Sequence, residues 1–150
     1  MNRLNFSISI NAPKKKVWNT MLNPKSYQAW TEAFAPGSHY VGNWEKGSKI
    51  LFLAPNKSGQ MGGMASRIKE NRKYEYISIE HYGVVSDDKE DTSSDEVKAW
   101  AGALENYTFK ESNGETELFV EMDSADEFED MFKNIWPIAL QKLKGLAEEK

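Results

Sequence analysis

The stretch INAPKKKVWNTMLNPKSYQAWT, residues 10–31, predicts how the chain folds after its first strand. Asn11-Ala12-Pro13 ends the extended run before it, and proline suits the first turn of a helix. Apolar residues then recur at helical spacing, which predicts a short helix over about residues 13–22. Pro24 starts a second brief helix, whose aromatic face is formed by Tyr27, Trp30 and Phe34. Two short helices are therefore expected after the first strand.

The flanking segments predict an antiparallel sheet. Residues 4–10 alternate apolar and polar side chains, as in a strand with one buried face. Asn113-Gly114 supplies the positive φ angles that a tight hairpin requires. Runs bounded by turn residues predict six further strands, at 39–42, 48–53, 60–70, 74–85, 104–111 and 116–123. Short connections between successive strands indicate a curved, seven-stranded antiparallel sheet in the α+β class.

The segment SDDKEDTSSDEV, residues 86–97, has no apolar periodicity and many carboxylates. It is expected to form a mobile surface loop. A calcium loop would need a central glycine and a terminal bidentate glutamate at fixed spacing, and both are missing. The following EVKAWAGAL has room for one helical turn before the next strand.

The segment NIWPIALQKLKGLAEEK, residues 134–150, predicts a long C-terminal helix that contains a proline. Ser124 and Glu127 have the spacing of a capping box, which would start the helix near Ala125. At roughly 100° per residue, an apolar face gathers on one side and Pro137 falls almost opposite. A proline on the outer side bends a helix towards its inner face. The predicted apolar face consists of Phe128, Met131, Phe132, Ile135, Trp136, Ala139, Leu143 and Leu146.

Composition excludes several functional classes. The 150 residues suffice for one domain, 1–150, with a sizeable core. A net charge of −4 disfavours nucleic-acid binding, since phosphate contacts need clustered basic residues. The chain has no cysteine and only two histidines far apart in sequence, so neither a metal site nor a cofactor is expected. No apolar run reaches the length of a membrane span, and a cytoplasmic protein is expected.

Glycines and methionines in the third predicted run suggest a curved cavity wall. Gly59, Gly62 and Gly63 are interpreted as a turn and a β-bulge instead of a phosphate loop. A bulge there would place Met61 and Met64 on one face, continued by Ser66 and Ile68. Methionine fills irregular space, so this face fits either a cavity wall or ordinary core packing.

Three polar residues are predicted to point inward. On YEYISIEHY, His81 shares a face with Ile77 and Ile79, and Glu105 shares one with Tyr107. A histidine, a carboxylate and a phenol can orient a ligand or move a proton. They can equally satisfy one another by hydrogen bonds, and both interpretations stay open.

The chain resembles the START-like helix-grip (SRPBCC) superfamily, and within it the activator of Hsp-90 ATPase homologue (AHSA-like) branch. The resemblance covers nearly the whole chain and rests on residues 10–31 and on GNWEKGSKILF, ENYTFKESNGETELFVEM and the closing WPIALQKLKGL. It implies a curved antiparallel sheet that grips a long C-terminal helix, with a hydrophobic cavity between them. Relatives include lipid carriers, polyketide cyclases, hormone binders and co-chaperone domains. The co-chaperone that names the branch also has a separate N-terminal domain, for which 150 residues leave no room.

The leading hypothesis is therefore that a cavity across the concave face binds a small lipid-like or aromatic molecule. One alternative is a cyclase-like or hydrolytic enzyme that uses His81, Glu105 and Tyr107. Another is a chaperone-type protein-interaction module that presents the exterior of the sheet or the acidic segment. No catalytic residue is assigned. The predicted lining consists of Trp44, Phe52, Met64, Ile79, His81, Tyr107, Met131, Phe132 and Ile135.

Overall fold

The computed structural model describes residues 1–149 and begins with the predicted strand and two short helices. Strand β1 spans Asn2–Ile10, helix α1 spans Lys14–Leu22 and helix α2 spans Pro24–Thr31. Pro13 precedes α1, which buries Val17, Trp18, Met21 and Leu22. The Asn23 side chain caps α2 by accepting a hydrogen bond from the backbone N–H of Lys25.

The described residues contain eight strands in one antiparallel sheet, and all seven predicted strands are among them. The strands after β1 are β2 His39–Gly42, β3 Lys49–Pro55, β4 Met61–Arg72, β5 Tyr76–Ser86, β6 Lys89–Asp91, β7 Ala103–Ser112 and β8 Glu115–Ser124. The strand order is β1-β8-β7-β5-β4-β3-β2, and the short β6 pairs with β5. Since β1 and β2 are the edges, the middle strands of the sequence lie at the centre of the sheet.

The acidic segment 86–97 forms a hairpin and a helical turn, so the surface loop expected there contains regular secondary structure. Asp87 and Asp88 adopt positive φ angles of 51° and 67°, which form the tight turn between β5 and β6. The Asp88 carboxylate also accepts a hydrogen bond of 2.7 Å from the backbone N–H of Met61. Ser94 caps helix α3, Asp95–Lys98, which is the helical turn expected before β7. Local side-chain hydrogen bonds therefore order a segment that has no apolar pattern.

The tight turn between β7 and β8 confirms the hairpin prediction. Asn113 and Gly114 have φ angles of 54° and 78°, and Ser112 pairs with Glu115 across them. This turn aligns the inward residues of the two strands.

The bulges lie elsewhere than predicted. Pairing of β3 with β4 is regular through Gly62 and Gly63, so Met61 and Met64 lie on opposite faces and the predicted shared face is wrong. The register between β4 and β5 shifts instead beside Tyr82 and beside Lys69. The shift at Tyr82 lets His81 and Val84 both face inward. Gly63 is needed for another reason: a Cβ there would lie 1.8 Å from the carbonyl oxygen of Phe52.

The C-terminal helix starts later than predicted. Ser124 is the last residue of β8, and its hydroxyl donates to the carbonyl of Ala125. The predicted capping box is therefore wrong, and a 3₁₀ turn, Asp126–Phe128, leads into α4, Glu129–Ala147. Helix α4 continues through Pro137, which is exposed as predicted. Its fully buried residues are Trp136, Ala139, Leu140, Leu143 and Ala147.

The core lies between α4, the two short helices and the sheet. Trp18 of α1 packs on Phe109 of β7, with ring centroids 5.2 Å apart. Trp136 of α4 stacks on Phe6 of β1 at 5.9 Å. Within residues 1–149, no helix combines the length and the apolar character that crossing a membrane requires.

Candidate functional site

A cavity of about 550 Å³ lies between the concave face of the sheet and helices α2 and α4. This volume is in the range that small-molecule sites occupy. The lining from residues 1–149 is dominated by aromatic rings, which offer large apolar surfaces with few conformations. These aromatic residues are Tyr27, Trp30, Phe34, Phe52, Trp100, Tyr107, Phe128, Phe132 and Trp136.

The structure brings six of the nine predicted lining residues together around this cavity. They are Phe52, Met64, His81, Tyr107, Met131 and Phe132. Among the described residues, Trp44, Ile79 and Ile135 lie outside the lining. Ile79 is buried in the core, Ile135 is half-buried on α4, and Trp44 packs against Tyr40 and Phe52.

The predicted lining omitted one whole wall of the cavity. Tyr27, Trp30 and Phe34 come from α2 and the turn after it. Their spacing of three and four residues indicates one helix face. This spacing was the only sequence pattern that grouped the three residues in one environment. Trp136 closes the inner end of the cavity, where its ring lies 5.0 Å from Phe34 and 6.0 Å from Trp30.

The three inward polar residues form one hydrogen-bonded network with Ser66. His81 pairs with Ser66 across β4 and β5, and their side chains are joined by a 2.6 Å hydrogen bond to Nδ1. On the other side, Nε2 lies 3.1 Å from Oε1 of Glu105. The Tyr107 hydroxyl donates to Oε2 of the same carboxylate. Because the Glu105 carboxylate accepts, Nε2 is the donor of that hydrogen bond, and in the neutral imidazole Nδ1 then accepts from the Ser66 hydroxyl.

The groups of this network are paired with one another, and the Ser66 hydroxyl lies outside the cavity. Both ring nitrogens of His81 are occupied, and Ser66 is fully buried behind it, outside the lining. Glu105 receives one donor on each oxygen. The arrangement fits the structural alternative, in which these polar groups satisfy one another inside an aromatic wall.

Tyr27 is a different kind of polar group. Its ring packs between Tyr40, at 5.0 Å, and Trp30, at 5.5 Å. Within residues 1–149 its hydroxyl has no hydrogen-bond partner. Burial raises the pKa of Tyr27, and the negative charge of Glu105 raises it further, so the phenol stays neutral. The lining therefore contains one residue, Tyr27, whose uncharged hydroxyl has no hydrogen-bond partner within the described residues.

The mouth of the cavity is apolar at its edge and acidic beside it. Met1, Phe128 and Met131 line the cavity although 59%, 48% and 43% of their surfaces are exposed. Asp123 lies at this end and is held by Arg3 at 2.8 Å and by the backbone N–H of Leu104 at 2.9 Å. Burial alone would raise the pKa of Asp123, but these two donors outweigh it and leave the pKa below its usual value.

The charged side chains of the lining are carboxylates, and the α-ammonium group of Met1 lies near Asp123 at the mouth. Glu105 and Asp123 are its carboxylates, and within residues 1–149 the lining includes neither lysine nor arginine. Among the same residues, no three histidine, aspartate or glutamate side chains are grouped to hold a metal ion.

Solved structures of bacterial proteins share this architecture at low sequence identity. Protein MLL2253 from Mesorhizobium loti superposes with a TM-score of 0.71 at 14% identity, over 97% of this chain and 96% of that one. Protein CV1439 from Chromobacterium violaceum gives 0.69 at 17% identity, with both chains covered completely. The solution structure of ChR145 from Cytophaga hutchinsonii gives 0.71 at 17% identity, over 99% and 94%. A comparison with curated protein sequences gives no match.

Similarity at these identities establishes the fold but leaves the activity open. The family described as Activator of Hsp90 ATPase homolog 1-like protein matches residues 11–148, which include both short helices, strands β2 to β8 and the whole of α4. The order of these elements and the grip of the sheet on α4 agree with the helix-grip fold that the sequence implied. This chain therefore belongs to the activator of Hsp90 ATPase homolog 1-like family and has the START-like helix-grip fold.

Proposed function

We propose that this protein binds a small apolar or aromatic molecule in the cavity between the sheet and α4. The observation that carries the proposal is an aromatic-lined space of about 550 Å³ with a partly exposed apolar mouth. Protein interiors are otherwise packed to near crystal density, so a space of this size is expected to have an occupant.

The polar groups of the wall support the same conclusion. His81, Glu105 and Tyr107 are hydrogen-bonded to one another, so they can face an apolar ligand without an unsatisfied group. Tyr27 adds to this wall one hydroxyl that has no hydrogen-bond partner within the described residues. A few placed polar groups among many aromatic ones are typical of sites that orient a small ligand.

Two methionines on one strand provide a matched test. Met64 lines the cavity, whereas Met61 lies on the opposite face of β4, outside the lining. Met64→Trp would fill part of the space, and Met61→Trp makes the same change outside it. We expect Met64→Trp to weaken 1-naphthol binding more than tenfold, measured by titration of amide chemical shifts.

The control variant Met61→Trp should bind as the unmodified protein does. Equal affinities in the two variants, or shifts confined to the outer surface of the sheet, would contradict cavity binding. Native mass spectrometry of freshly isolated protein would further identify any molecule that co-purifies with it.

The enzymatic alternative has less support because the hydroxyl that His81 could deprotonate, that of Ser66, is fully buried outside the cavity lining. It would require the network to open when a substrate binds. Turnover of a candidate substrate that is lost in His81→Gln, while 1-naphthol binding is retained, would favour this alternative.

A further inference from the structure

We infer that the cavity selects aromatic molecules that are uncharged or positively charged, and that it rejects carboxylates. This inference rests on the proposed function, since it specifies the chemical class of the molecule bound there. It follows from the carboxylates in the wall and from the Tyr27 hydroxyl.

An anion would find neither lysine nor arginine in this cavity, and the Met1 ammonium at the mouth already has Asp123 beside it. The lining from residues 1–149 holds two carboxylates and neither lysine nor arginine. Each oxygen of Glu105 already receives a hydrogen bond, so its charge is held in place at the wall. A carboxylate that entered would lose its hydration and meet a like charge, and both effects oppose binding.

The surroundings of the mouth are mainly acidic, because the two positive groups there, Arg3 and the Met1 ammonium, are offset by Asp123. The 3₁₀ turn that carries Phe128 also contains Asp126 and Glu127, and both are exposed. Asp130 is exposed one residue before Met131. Fields of one sign around a cleft repel approaching anions and attract cations. The charges around the mouth and the charge inside the cavity therefore both disfavour anions.

The aromatic rings and the Tyr27 hydroxyl favour cations and neutral hydrogen-bonding molecules over carboxylates. A positive charge over aromatic faces is attracted by their quadrupoles. A neutral amide or alcohol can hydrogen-bond the Tyr27 hydroxyl, which has no partner within the described residues. Both kinds of ligand satisfy the polar groups of the wall without adding negative charge.

Three matched ligands test the inference on the unmodified protein. 1-Naphthoic acid and 1-naphthamide have nearly the same shape but differ in charge, and 1-naphthylmethylamine is a cation at neutral pH. We expect calorimetric titration at pH 7 to show the acid binding at least tenfold more weakly than the amide or the amine. Acid and amide affinities within threefold of each other would overturn the inference. Failure of all three to bind would instead overturn the proposed function.

Two charge variants distinguish the effect of a charge in the cavity wall from that of a charge on the outer surface. Glu105→Gln removes the interior charge, and Glu117→Gln removes one exposed charge on β8. We expect Glu105→Gln to reduce the preference for amide over acid by at least fivefold and Glu117→Gln to leave it unchanged. An unchanged preference in a Glu105→Gln protein with a native amide spectrum would overturn the electrostatic argument. If that variant fails to fold, the ligand series on the unmodified protein still decides.

Two neighbouring tyrosines test the anchoring role. Tyr40 donates a 2.6 Å hydrogen bond to the carbonyl of Leu22 and lies outside the lining. Tyr27→Phe should weaken 1-naphthamide binding by roughly threefold to tenfold and leave naphthalene binding unchanged. Tyr40→Phe should lower thermal stability and leave both affinities unchanged. Equal loss of naphthamide and naphthalene in Tyr27→Phe would show that its hydroxyl does not anchor the ligand.

Discussion

Two aromatic residues on α4 should differ sharply in what they contribute to stability. Trp136 is 3% exposed and packs against the rings of Phe6, Trp30, Phe34 and Tyr107. Removing so large a buried side chain leaves a void that its surroundings cannot fill. Trp136→Ala is therefore expected to lower the free energy of unfolding by about 3 to 5 kcal/mol.

Phe132, one turn earlier, is half-buried and faces the cavity. Its ring forfeits fewer contacts when removed, because much of its inner surface already borders open space. Phe132→Ala is expected to cost about 1 kcal/mol, part of the value for full burial of a phenylalanine. The exposed Ile138 of the same helix supplies the baseline, and Ile138→Ala should change the free energy of unfolding by less than about 0.5 kcal/mol.

Urea unfolding followed by far-ultraviolet circular dichroism would measure all three variants with a common slope. In thermal scans, Trp136→Ala should reduce the midpoint by about 6 to 20 °C, since each kcal/mol corresponds to roughly 2 to 4 °C at this chain length. A loss in Phe132→Ala as large as that in Trp136→Ala would refute the reasoning, because it would mean that the ring is packed on all sides and the cavity is closed in solution.

Three further changes follow from the backbone and from charge. Gly63→Ala should cost more than about 3 kcal/mol in urea unfolding, since its Cβ would collide with the Phe52 carbonyl and its φ is +149°. Gly62→Ala, whose Cβ would meet only ordinary contacts, should change stability by less than about 1 kcal/mol; equal losses would contradict the collision. Pro137→Ala should stabilise the protein by about 1 to 2 kcal/mol, because it restores a helix hydrogen bond; a lower midpoint would contradict this. The lowered pKa of Asp123 contributes stability above about pH 4 that is lost as pH falls through the folded pKa. Asp123→Asn should make acid unfolding less steep, and an unchanged acid transition would contradict that contribution.

The order of the elements could be predicted because local signals agree with the global fold. Pro13 and Pro24 mark the starts of the two short helices, and Asn113-Gly114 has the backbone angles of the turn that joins β7 and β8. Period-two alternation correctly indicated that His81 and Glu105 face inward together. These signals depend on residues close in sequence, which is why the sequence alone contains them.

The errors lie where distant contacts decide. Ser124 has the spacing of a capping residue, yet its pairing with Asn2 keeps it in β8. The bulge at Tyr82 depends on how β5 meets β4, and an unbroken alternation gives no sign of it. Trp44 is aromatic and follows a strand, but the neighbouring Tyr40 and Phe52 hold it outside the cavity lining.

The pairing of β1 with β8 makes the complete cavity wall depend on contacts between residues far apart in sequence. Asn2 lies opposite Ser124 in the sheet, so two segments far apart in sequence must pair before this part of the wall forms. Sheets with such distant pairings fold slowly, because closing the long loop costs conformational entropy before the non-local contacts can stabilise the chain. Since the lining includes residues from α2, α4 and strands β3, β4, β5, β7 and β8, a partly folded chain offers no complete surface to a ligand. A ligand that binds this cavity only in the folded protein, at 100 times its Kd, would raise the free energy of unfolding by about 2.7 kcal/mol.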